Sequence, residues 1–364
     1  MSLDSRHAGR IKERRLTGSS ATRESPGAPP SIAWIDAARI AAILAVISIH
    51  VVSPLVTNRS LPESWWFGNV VDSAARWSVP VFVMLSGALL LHSNLADDPP
   101  AFYRRRLSRI LPPLIAWTVI YLVRGNVPLD QAVSYVLAGR PSFHLYFLYL
   151  LVGLYLVAPF LRPLVARTDR RVLGIAIVVF LALGMSDDLI VVWRHLGGVN
   201  AATRFVPYIG YFLAGAWLIG LRPTRARVIT AATVAAVAIL GTAIGTKVLV
   251  HFFGLGQGRY LYEYLSVTTV PASLAVFALF LWSAPWADRL ATRLPTGWLS
   301  VVAGSTLGIY VIHPLFLSWL GHLGLGPRTF FVPLAVTATV LATFAVSLAT
   351  VLILRMVPGI RRLV

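Results

Sequence analysis

Residues 32–53 read IAWIDAARIAAILAVISIHVVS. Apart from Asp36, Arg39, His50 and two serines, this stretch is apolar throughout. At about 1.5 Å of rise per residue, a helix of this length crosses a hydrocarbon core about 30 Å thick. Runs of the same kind recur along the chain, near 32–53, 69–92, 107–124, 143–163, 172–188, 203–221, 228–252, 263–283, 298–320 and 330–354. Short breaks rich in arginine, proline or glycine separate them. Of the 364 residues, 57% are hydrophobic and 13% charged, and the mean hydropathy is +0.74. A water-soluble domain of this size needs far more polar surface. The composition excludes a soluble enzyme, a nucleic-acid-binding domain and a disordered chain as descriptions of the whole. It predicts an all-α polytopic transmembrane helical bundle of about ten spans in a cell (inner or plasma) membrane.

The net charge of +18 matters through its placement. With the N-terminus inside, 22 Lys and Arg fall in segments assigned to the cytoplasm and 8 in segments assigned outside. That bias predicts both termini cytoplasmic. Residues 1–31 are polar, basic and broken by prolines, and read as a disordered cytoplasmic tail resting on anionic membrane lipid rather than as a cleavable signal. Residues 32–354 form the membrane domain and 355–364 a second cytoplasmic tail. No cysteine is present, which removes thiolate nucleophiles and Cys-ligated metals. No serine-nucleophile signature or P-loop occurs.

Ionisable groups inside a bilayer are costly, which makes them functional candidates. Arg39 and His50 are eleven residues apart, about 1100° of helix, so they lie within about 20° of each other around the axis and roughly 16 Å apart along it. Ala37, Ala38, Ala41 and Ala42 let other helices approach at the Arg39 level. One face of the first span thus reads as the wall of a polar channel. The structural alternatives are an Arg39–Asp36 pair one turn back, or a His50 that only bonds a neighbouring helix. In the second span Pro80 bends the helix, and Ser86-Gly87 allows close approach of a neighbour or a ligand. Arg106 and Arg109 share a face at the mouth of the third span, either as topology anchors or as a site for an anionic ligand. His144 and Tyr146 begin an aromatic surface at the fourth. The ninth carries Tyr310 and His313, and His313 sits at the expected depth of His50, where two imidazoles suit proton handling; His313 can equally satisfy a carbonyl freed by Pro314.

Taken in order, these pieces resemble the acyltransferase-3 family of integral-membrane acyltransferases. They are Arg39-x₁₀-His50, Val79-Pro80-Val81-Phe82 with Ser86-Gly87, Arg106-x₂-Arg109, His144-Leu145-Tyr146-Phe147-Leu148, and Gly308-Ile309-Tyr310-Val311-Ile312-His313-Pro314. The likeness runs from about Trp34 to the last span, and the segment 143–162 looks most like the branch that O-acetylates surface polysaccharides. Position 146 is Tyr where the family often has Trp.

The resemblance implies a ten-helix bundle that takes an acyl group, most simply acetyl, from cytosolic acyl-CoA. The acceptor is a hydroxyl of an extracytoplasmic glycan or lipid-linked saccharide, and no metal is involved. Many members carry a fused esterase-like domain; here transfer is expected to finish within the bundle or on a separate partner. In this reading Arg106 and Arg109 hold CoA phosphates and Arg39 contacts the pantetheine arm or its pyrophosphate end. Ser86 and Gly87 shape the acyl pocket, and His50 is a general base or an acyl-carrying nucleophile. Tyr310 and His313 assist, with His144 and Tyr146 on the acceptor side. The competing class is a transporter or flippase for an envelope precursor that makes no bond; a weaker third is a non-catalytic assembly partner. Acceptor-dependent release of CoA separates the first from the others.

Overall fold

The computed structural model describes residues 32–58, 62–92, 98–198 and 200–364; the expected N-terminal tail lies outside them. Every regular element among the described residues is a helix. Seven stretches are long and apolar enough to cross a membrane. They are α1 (Ala33–Val56), the run Pro62–Leu90 formed by α2 (Pro62–Ala75) and α3 (Ser78–Leu90), α4 (Pro99–Arg124), α6 (Tyr146–Arg167), α7 (Arg170–Arg194), α9 (Arg225–Gly258) and α14 (Val332–Met356). Two bent pairs bring the number to nine: α10 (Thr269–Trp282) with α11 (Ala284–Arg293), bent by 58°, and α12 (Trp298–Gly304) with α13 (Thr306–His322), bent by 61°. The remaining expected span is short, an apolar stretch Val206–Ile219 ending in α8 (Ile209–Ile219). The ten segments thus occur in the expected order. The pattern did not separate α5 (Leu129–Leu137) or α11, both strongly one-sided helices attached to spans.

Three helix starts are fixed by side chains in the polar breaks. Asp98 accepts from Ala101 N (3.3 Å) at α4, where Pro99 and Pro100 occupy the first turn. Asp169 accepts from Arg171 N (2.7 Å) at α7, and Thr224 from Arg227 N (3.2 Å) at α9. Each satisfies an amide that the first helical turn leaves open. The capped start of α4 draws Arg104, Arg105, Arg106 and Arg109 into the helix itself, whereas the hydropathy pattern starts the span at 107.

Helix α1 is the hub, packing against α2, α3 and every helix from α10 to α14. Ala38 and Ala42 are fully buried there, as the small residues of that level require. The tightest crossing is α3 on α8. A Cβ on Gly87 would lie 1.8 Å from the Phe212 carbonyl oxygen, and one on Gly215 would lie 1.9 Å from that of Met84. The two backbones therefore touch, and only glycine fits at either point. On the periphery, α7 leaves Val172, Ile175, Val178, Val179 and Leu183 exposed, a face suited to lipid.

Beyond α14 the chain turns back. Val357 and Pro358 follow the last helical turn, Gly359 takes a positive φ of 90°, and a short 3₁₀ turn, Ile360–Arg362, follows. Leu363 accepts from Trp117 Nε1 (2.8 Å), and Val364 is buried beside Gly308. Residues 355–364, expected as a tail, are docked on the bundle.

Candidate functional site

Two cavities open on opposite ends of α1, and the residues singled out in the sequence divide between them. His50 lines a cavity of about 840 Å³, with Ser53 and Pro54 of the same helix. Arg39 lines another, of about 330 Å³, together with Ser86, Arg106, Arg109 and Tyr310. No residue lines both. The eleven-residue spacing thus sets a cation in one cavity and an imidazole in the other, on a single helix.

Between them lies a wall of aromatic and imidazole rings. Phe147 contacts Phe82 and Tyr310 with ring centroids 6.0 and 5.3 Å apart. Tyr310 donates its hydroxyl to the His144 carbonyl, fastening α13 to the start of α6. His313 is fully buried and stacks on His50 with centroids 5.3 Å apart and planes at 24°. It also packs edge-on to His144 at 5.7 Å. Three imidazoles drawn from distant parts of the chain therefore meet at one level. The His313 Nδ1 lies 2.7 Å from the Tyr310 carbonyl oxygen; since a carbonyl can only accept, Nδ1 carries a proton. His313 Nε2 and His144 Nε2 are both buried with no hydrogen-bond partner among the described residues. The break between α12 and α13 is what allows this meeting, because α13 leaves the line of α12 by 61° before reaching His313.

The arginine cavity follows the sequence reading in part. Arg39 sits 3.7 Å from Asp36, and Asp36 also accepts from Ser300 Oγ at 2.6 Å. Asp36 is therefore held by α12 as well as by its own helix, and Arg39 remains a third exposed at the cavity. Ser86 lines this cavity, its hydroxyl donating to Phe82 O at 3.0 Å. Gly87 does not: it is the α3–α8 contact, so the adjacent residues face different partners. Arg106 is half-buried with Nε unpartnered among the described residues, and Tyr155 completes the wall.

In the histidine cavity, Tyr146 forms part of the lining, whereas His144 lies behind it, 1% exposed, and lines neither cavity. His50 also meets the Phe143 ring edge-on, centroids 4.8 Å apart. Much of what remains is charged: Asp72, Arg76, Arg140, Asp188, Arg204, Arg259 and Glu263. Sequence reasoning did not select these groups as a site. The one signal available was Asp72-x₃-Arg76, two opposite charges one helical turn apart inside a predicted span. They form a buried ion pair, Arg76 Nε donating to Asp72 Oδ1, and Asp72 Oδ2 has no hydrogen-bond partner among the described residues. The Arg76 guanidinium lies 4.6 Å over the Tyr262 ring. Tyr262 belongs to the turn after α9 and donates to Asn69 Oδ1 at 2.6 Å. Burial and the neighbouring Asp72 carboxylate push its phenol above the ordinary range, so it stays a neutral donor. The turn itself depends on Gly254, whose φ of 73° breaks α9, and on Gly258, where a Cβ would strike the Val250 backbone at 2.5 Å. These glycines thus fold Arg259 to Tyr264 over the cavity.

Among the described residues no group of three or more His, Cys, Asp or Glu is placed to hold a metal ion. A family model described as an acyltransferase domain, that of acyltransferase-3, matches residues 32–353. No curated protein and no solved structure matches the chain.

Proposed function

The chain belongs to the acyltransferase-3 family and is a multi-pass membrane acyltransferase; on that premise we propose that it carries an acyl group, acetyl in the simplest case, from cytosolic acyl-CoA to a hydroxyl of an extracytoplasmic glycan or lipid-linked saccharide. The observation that carries this reading is the division of Arg39 and His50, on one helix, between two cavities separated by an aromatic wall. A donor and an acceptor confined to opposite sides of a cell membrane require such an arrangement.

The bias of arginine toward one set of breaks assigns the arginine cavity to the cytoplasm. There Arg106 and Arg109 hold donor phosphates, and Arg39 meets the pantetheine arm. The arm passes along α1 toward His50, and Phe147 and Tyr310 must swing aside for the thioester to arrive. On the other side the acceptor hydroxyl enters the histidine cavity. His50 takes its proton as the oxygen attacks the thioester carbon; the C–S bond then breaks, and the CoA thiolate leaves and is protonated. The same imidazole can instead accept the acyl group first and pass it on. His313, stacked on His50, positions this imidazole.

The decisive measurement is release of free CoA from acetyl-CoA by the purified protein in the presence and absence of an acceptor saccharide. Release that depends on acceptor supports the reading. Facilitated passage of the saccharide across a vesicle membrane, without CoA release, would make the protein a transporter.

A further inference from the structure

Next to the arginine cavity lies a second basic cavity, of about 440 Å³, into which the returning C-terminal segment brings Arg355, Arg361 and Arg362. The two share Arg109, Gly304 and Leu307 in their linings and are therefore contiguous. No Asp or Glu lines either one among the described residues. Arg361 and Arg362 are exposed, and neither joins an ion pair among the described residues.

Their placement is built rather than incidental. Gly359 reverses the chain, and the segment is tied down by the Trp117–Leu363 hydrogen bond and by burial of Val364. Arg355 is occupied otherwise, donating to Ser305 Oγ at 3.1 Å and holding the α12–α13 break in place. Arg39, Arg106 and Arg109 line the first cavity, and the exposed Arg361 and Arg362 line the second. Positive charge is thus presented in two separate places along one connected space.

Coenzyme A carries its negative charge in two places, the pyrophosphate and the phosphomonoester on the ribose 3′-oxygen. The phosphomonoester bears about −1.5 to −2 charge at neutral pH, and guanidinium groups bind such oxygens in pairs. Resting on the acyl-CoA reading above, we propose that Arg361 and Arg362 form a subsite for the 3′-phosphate of the donor, making the docked C-terminal segment part of the nucleotide site. An anionic lipid headgroup offers similar phosphate chemistry, and the test separates the two.

The full chain is placed in nanodiscs of phosphatidylcholine alone, or with phosphatidylglycerol added, and titrated with CoA and with 3′-dephospho-CoA. The unaltered protein should prefer CoA by about tenfold or more, about 1.4 kcal/mol. The double variant Arg361→Ala/Arg362→Ala should lose that preference while binding dephospho-CoA as before, in both lipid mixtures. Equal affinity of the unaltered protein for the two nucleotides, or a preference that survives in the variant, overturns the subsite and leaves the acyl-CoA reading standing. A variant that differs only in retaining phosphatidylglycerol would assign the arginines to lipid and overturn it as well. Failure of the unaltered protein to bind either nucleotide overturns the donor reading, and the subsite falls with it.

Discussion

The two cavities at either end of α1 are built to different rules. Among the described residues the arginine cavity presents cations and no carboxylate of its own, with Asp36 set back behind Arg39 and held by Ser300. The histidine cavity interleaves three carboxylates with four arginines and several tyrosines around one imidazole. A one-signed surface suits a ligand whose charge is fixed, as in phosphates. A surface of mixed sign, rich in donors and acceptors, suits a ligand recognised by its hydroxyls. The contrast teaches that, under the proposed reaction, donor and acceptor would be sorted by electrostatics as well as by the side from which they arrive.

The sharpest way to break this comparison is His50→Gln, which keeps much of the volume and some hydrogen bonding. If the histidine cavity is where the bond is made, transfer should fall by about 10²–10⁴, with acyl-CoA affinity unchanged by titration. Near-normal transfer would move the chemistry elsewhere, first to His313. Next in size is Arg76→Ala, which strands the Asp72 carboxylate in a buried position. A loss of about 3–5 kcal/mol is expected for an orphaned buried charge, read as a lower thermal midpoint in detergent. The double variant Asp72→Asn/Arg76→Gln should recover most of it. A smaller effect distinguishes neighbours: Gly87→Ala should cost at the upper end of roughly 1–3 kcal/mol through overpacking against Phe212. Ser86→Ala should stay within about 0.5 kcal/mol in stability. Equal effects would mean that the two residues do not face different partners. Last, Arg109→Ala should weaken acyl-CoA binding a few-fold, and added salt should weaken it in the unaltered protein, because exposed phosphate contacts are screened over about 10 Å at 0.1 M salt. The His50 effect on transfer should survive the same salt.

How far the sequence reaches can be judged from the same residues. The ten segments were legible because hydropathy is a local property, and each span declares itself within its own twenty residues. Arg39 and His50 were legible because one helix relates them by simple rotation. The meeting of His50 with His313 was anticipated only as a shared depth; the stacked contact depends on a bend between α12 and α13 at Gly304 and Ser305, which no hydropathy window resolves. Gly87 was grouped with Ser86 as a ligand contact because small residues serve packing and ligand approach alike, and only the position of α8 decides between them. The charged groups around His50 come from α2 and the break after it, from α7, and from the turns after α5, α7 and α9, so no single stretch of sequence shows them as a cluster. Residues 355–364 were read as a cytoplasmic tail, since nothing local announces that Gly359 sends the arginines back to the bundle.

The ring contacts of Phe82, Phe147 and Tyr310 have an electrical consequence. A cell membrane holds a voltage, worth about 2.3 kcal/mol for each elementary charge per 100 mV. A water-filled bore linking the two cavities would short-circuit it, and ions would leak through every idle copy of the protein. Closed on its aromatic seam, with buried aliphatic residues Ile43 and Ile47 beside it on α1, the bundle is an insulator at rest. On the proposed reaction, a passage opened only as wide as one pantetheine arm would be plugged by the arm itself, and transfer across a charged membrane would not discharge it.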